Sequence, residues 1–135
     1  MMNKFMKYLF VFLFFIPVAI QAQVSGGPTL DMITKAISVG DVSTLSSYFD
    51  QNLDVSILDK EKSYSKVQAT EAIQAFFNSN KPKSFNAVHN GTSRGSNDQY
   101  CIGNLSAATG SFRVYIYLKA NSGTMVIKEL RFDKE

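Results

Sequence analysis

From Ser111 to Lys119 the chain alternates without a break: Phe112, Val114, Ile116 and Leu118 are apolar, and Arg113, Tyr115, Tyr117 and Lys119 stand between them. Successive side chains of a strand point to opposite faces, so this period of two predicts a half-buried strand. The apolar face of such a strand has to be covered by another layer. The chain must therefore supply both sister strands and a cover for them.

The sister strands are read at 85–91, 99–108 and 124–133, with turn chemistry at 95–98, 109–110 and 121–123 between them. Short separators of this kind predict consecutive antiparallel hairpins. In the last strand Val126, Leu130 and Phe132 share a face with Lys128, and Ile127, Glu129 and Arg131 form the opposite one. One side of the sheet is expected to cover helices. The other carries Tyr115, Tyr117, Ile127, Glu129 and Arg131, an aromatic and amphipathic set expected to be a homodimer interface.

The cover is read upstream. Leu30, Ile33, Ala36 and Ile37 recur at three and four from Thr29 onward, the stripe of a buried helix that Gly40 ends. Asp41 can cap a second, short helix with Leu45, Tyr48 and Phe49 on one face. Leu53, Val55 and Ile57 alternate as a strand, and residues 60–62 are read as the turn to a short partner at 63–65. Ser65 and Gln68 then have capping-box spacing ahead of Ala69, Ala72, Ile73 and Phe76 on a third helix, which Asn80 and Pro82 stop.

The N-terminus has a different composition. Lys4 and Lys7 precede 13 residues, Tyr8 to Ile20, that are all apolar, aromatic or proline. This is the layout of a secretory signal peptide, and the run is shorter than the ~20 apolar residues that span a bilayer. Cleavage is expected between Ala22 and Gln23. Residues 1–22 are then the signal, 23–28 a flexible leader and 29–135 a single domain. No cysteine follows the cut, so the product is expected in the periplasm or outside the cell without a lipid or membrane anchor. With Lys4 and Lys7 gone, twelve basic residues face eleven acidic ones, and no clustered basic stripe of a nucleic-acid-binding surface remains. Cys101 is the only cysteine, so no internal disulfide can form.

Tyr64-Ser65-Lys66, Lys83-Ser84-Phe85, the 110–118 strand Gly-Ser-Phe-Arg-Val-Tyr-Ile-Tyr-Leu and the ending from Ile127 to Glu135 resemble the bacterial family designated domain of unknown function 4783. Its members are exported proteins, chiefly of Bacteroidota. The order of elements resembles the nuclear transport factor 2-like (cystatin-like) fold. The resemblance implies an α+β, cone-shaped domain, three N-terminal helices packed on a curved and mostly antiparallel sheet. It implies no activity, since that fold hosts isomerases, dehydratases and binding modules alike.

The catalytic motifs fail on context. Gly91-Thr92-Ser93-Arg94-Gly95 matches a nucleophile elbow, but a polar turn and a strand follow it where an elbow needs a helix. Ser63 and Lys66 have S-x-x-K spacing, yet they lie where a strand runs into a helix cap. No metal-ligand spacing, cofactor motif or catalytic set is read. His89, in phase with Phe85 and Ala87, remains a pocket candidate together with Asp50, Asp54 and Phe76. The expectation is a non-catalytic module that binds a small apolar ligand or an envelope protein. The alternative is an isomerase- or dehydratase-type enzyme using a pocket carboxylate or histidine.

Overall fold

The computed structural model describes residues 27–135. The expected signal, its cleavage point at Ala22 and Gln23, and the leader up to residue 26 lie outside the described residues. Helix α1, Pro28–Val39, starts one residue earlier than expected, because Pro28 fits the first turn, where its missing N–H costs nothing. Gly40 closes it in the left-handed conformation (φ 70°), and the Asp41 N–H returns to the Ala36 carbonyl at 2.8 Å. Asp41 then caps α2, Val42–Ser46, accepting from the Thr44 N–H at 3.1 Å and the Thr44 hydroxyl at 2.6 Å. These bonds, the hydroxyl's first, hold the Asp41 carboxyl below its ordinary range.

Phe49 does not continue α2 as its spacing from Leu45 predicts; it opens β1, Phe49–Ile57. The turn to β2, Lys60–Ser65, is Leu58-Asp59 rather than residues 60–62. Both turn residues take positive φ (51° and 69°), as a two-residue hairpin loop demands, although neither is glycine. The capping box forms as read: Ser65 accepts from the Gln68 N–H and Gln68 from the Ser65 N–H, starting α3, Lys66–Ser79. Strands β3, Pro82–Thr92, β4, Gln99–Ala107, β5, Gly110–Asn121, and β6, Thr124–Lys134, complete the chain.

The six strands form one sheet in the order β2-β1-β6-β5-β4-β3. All neighbours are antiparallel except β1 and β6, which run parallel and join the first hairpin to the later meander. Three of the five pairings shift register, and each extra residue bends its strand, which curves the sheet. Helix α1 packs over β3 and β4, α3 over β1 and β2, and α2 bridges the two helices. Among the described residues only α1 and α2 precede the first strand. The three helices therefore form one layer without forming one N-terminal block. No described helix is long and apolar enough to cross a membrane.

The core lies between the helices and the concave face. Leu30, Ile33, Ile37, Leu45 and Ile73 meet Cys101, Leu105, Val114, Ile116, Leu118, Leu130 and Phe132, all essentially inaccessible. Four aromatic rings close the middle. Phe76 stands 5.1 Å from Phe112 edge-on and 4.8 Å from Phe132, and Phe77 meets Phe132 at 5.7 Å.

Candidate functional site

Phe76, expected as a pocket wall, is a core filler with 6% of its surface exposed. The hollow that the curved sheet would enclose is taken up by its ring and its neighbours. Three depressions among the described residues lie on the outside. One of about 310 Å³ is lined by Val39, Phe77 and Pro82, one of about 190 Å³ by Met32 and Val39, and one of about 490 Å³ by Tyr48, Thr124 and Met125. None is lined by Asp50, Asp54 or His89.

Those three candidates are not brought together. Asp50 lies 3.5 Å from the Lys128 ammonium, which also donates to the Asn52 carbonyl at 2.9 Å. Asp54 accepts from the Ser63 hydroxyl at 2.6 Å. Both are on β1, and His89 is on β3 four strands away, a separation of roughly 19 Å at ~4.8 Å per strand. His89 is also out of phase with Ala87. A register shift between them places Val88 in the bulge and turns His89 to the outer face, where Nε2 meets the Tyr100 hydroxyl at 2.9 Å. Among the described residues no group of three or more His, Cys, Asp and Glu side chains is placed to hold a metal. Cys101 is buried, and burial pushes its thiol up to about 11, which leaves it inert at neutral pH.

The two motifs with a catalytic look are structural. Ser93 opens the turn between β3 and β4, its N–H donating to the Asp98 carbonyl at 2.9 Å. Ser63 is tied to Asp54 on the hairpin, and Ser65 caps α3.

What the fold does assemble is the convex face of the sheet. The register sets Glu129, Tyr117, Tyr100 and Gly91 in one row, and Arg131, Tyr115, Ile102 and His89 in the next. Tyr100 lies across Gly91, where any Cβ would collide with the ring. The Tyr117 hydroxyl donates to Asp98 at 2.6 Å, and the Ala120 N–H donates to the other oxygen at 2.9 Å. These bonds hold the Asp98 carboxyl below its ordinary range, and the same contact raises the Tyr117 phenol. Burial, followed by the nearby Glu129 charge, raises the Tyr115 phenol.

Of the five expected interface residues, Tyr115, Tyr117, Glu129 and Arg131 lie on this face, and Ile127 does not. Ile127 is fully buried in the core. Lys128 is the extra residue at the β5–β6 register shift: it lies on β6 opposite the Tyr117–Leu118 step of β5 and so puts Ile127 opposite Leu118. That slip breaks the period of two that assigned Ile127 outward. Tyr100, Ile102 and Asp98 belong to the face and were not singled out from sequence. The first two show the same alternation against Cys101 and Gly103, whereas Asp98 sits in a polar turn with no periodic signal.

Both sheet edges are blunted against strand addition. β2 begins Lys60-Glu61-Lys62, and β3 begins with Pro82 and Lys83 and contains two register shifts. Among the described residues no layer covers the face, which is the larger open surface of the sheet.

An α+β layer of helices on a curved, mostly antiparallel sheet is the nuclear transport factor 2-like class. Solved structures of that class superpose on the chain, among them a putative isomerase from Bacillus subtilis (TM-score 0.61, 16% identity, 79% of this chain and 84% of that one), a likeness in fold alone. The family is narrower. Residues 30–133 match the model of the domain of unknown function DUF4783, and the chain belongs to that family. It is similar to the crystallised DUF4783 proteins of Bacteroides uniformis (30% identity, TM-score 0.75, 80% of this chain and 98% of that one) and Bacteroides fragilis (27%, 0.73, 77% and 96%). No curated protein matches the chain.

Proposed function

We propose that the domain is a non-catalytic protein-interaction module of an exported bacterial protein, working through the convex sheet face around Tyr100, Tyr115 and Tyr117. One observation carries the reading: the interior is filled by Phe76, Phe77, Phe112 and Phe132, while among the described residues no layer covers the tyrosine-bearing face. Tyrosine and arginine are the residues that interfaces favour, since each combines a large contact area with hydrogen-bonding reach. A filled interior disfavours a small apolar ligand. The distance between His89 and the β1 carboxylates disfavours acid–base catalysis, which needs them within hydrogen-bond reach of one substrate.

The test is site-specific photo-crosslinking in the native envelope. A photoreactive residue in place of Tyr115 or Ile102 is expected to form protein adducts, and one in place of the exposed helix residue Gln74 is not. Adducts from position 74 alone, or a small molecule retained by the native protein in mass spectrometry, would count against the reading.

A further inference from the structure

Resting on that reading, we propose that the partner on the convex face is a second copy of this chain. The copies would pack face to face about a two-fold axis that lies in the interface plane and crosses the strands at Ile116, between the Glu129–Tyr117–Tyr100 row and the Arg131–Tyr115–Ile102 row. Rotation about that axis exchanges the rows and keeps each strand opposite itself. Arg131 then faces Glu129 of the second copy, and the pairing repeats in reverse, as a two-fold interface requires. Tyr115 meets Tyr117 of the second copy, and Tyr100 meets Ile102.

Two features favour this occupant. The first is charge. Arg131 and Glu129 are 3.8 Å apart within one chain, a loose and partly exposed contact, so both keep bonding capacity for a closer partner. Acidic Asp54, Glu61, Glu129 and Asp133 are interspersed on the face with basic Arg113, Lys119 and Arg131, a mixture that suits self-association better than a partner of one sign. The second is area. Six strands ~4.8 Å apart and about ten residues long present roughly 900 Å², against the ~800 Å² per partner of a standard stable interface. Other two-fold axes do less well. One through the Tyr115 row sets Arg131 against itself, and one parallel to the strands between β5 and β6 sets Arg113 against Asp133, although Arg113 is already held by Glu135 at 3.2 Å.

The experiment is a charge swap read by light scattering at micromolar concentration, on protein produced from the full chain. Wild type is expected at twice the mass of one chain. E129R and R131E, each placing like charges opposite each other, are expected at half the wild-type mass, with unchanged circular dichroism and a thermal midpoint that no longer depends on protein concentration. An equimolar mixture of the two variants restores both pairings and is expected to return to the doubled mass. A single-chain mass for wild type, doubled mass in either single variant, or a mixture that stays monomeric would each overturn the proposal. If wild type is monomeric while position 115 still crosslinks a different envelope protein, the second copy is refuted and the interaction reading survives. If neither association nor crosslinks occur, both fall.

Discussion

Replacing Phe76 by alanine tests the filled interior directly. The ring is 6% exposed and packs against Phe77, Phe112 and Phe132 with centroid separations of 5.9, 5.1 and 4.8 Å. Phe-to-Ala changes in cores cost ~3–5 kcal/mol, and the cost rises where the walls cannot collapse into the void. Three rigid aromatic walls place this site in the middle of that range or above it, at about 4 kcal/mol. In urea, at a slope of ~2 kcal/mol/M, the unfolding midpoint should fall by about 2 M with the slope unchanged. Such a loss is a large fraction of the ~5–15 kcal/mol that holds a domain together. Phe76→Leu therefore serves as a milder companion, expected to cost under ~2 kcal/mol. A loss below ~1.5 kcal/mol for Phe76→Ala in a protein that keeps its fold would mean that the ring borders open space. The interior would then have room for a ligand.

Ile127→Arg should destabilise by more than ~3 kcal/mol, because it buries an unpaired charge, whereas Glu129→Arg two residues on should change monomer stability by less than ~0.5 kcal/mol. Thermal melts of the two variants decide it, and equal tolerance would put Ile127 on the convex face. Asp98 is held below the ordinary carboxylate value by Tyr117 and then Ala120, so its contribution is present above that value and lost as pH falls through the depressed one. Asp98→Ala should lower the melting temperature at neutral pH and flatten its decline on acidification. An acid limb as steep as that of wild type would contradict this.

The legible parts of the fold were those written in neighbouring residues. The alternation from Phe112 to Leu118 gave the strand and both its faces, and the Ser65–Gln68 pair gave the start of α3. The errors have a common cause. Phe49 sits four residues after Leu45 and reads as helical, yet β1 starts there because its backbone is drawn into pairing beside β6, with the Ile127 N–H bonded to the Tyr48 carbonyl at 2.6 Å. His89 and Ile127 were assigned faces by counting in twos, and each lies just across a register shift. A bulge leaves little local trace, because the partner strand decides where the extra residue goes.

By itself the sequence determined an α+β domain with a helical layer over one face of a sheet, since periodicity and capping are properties of residues three, four or two apart. The tertiary structure alone decided that β1 lies parallel to β6, between it and the edge strand β2. It likewise decided that Phe76 fills the interior rather than lining a cavity, and that Asp54 and His89 stand four strands apart. Those outcomes depend on which distant segments come into register, and register is settled only when a buried face must match the whole of its cover.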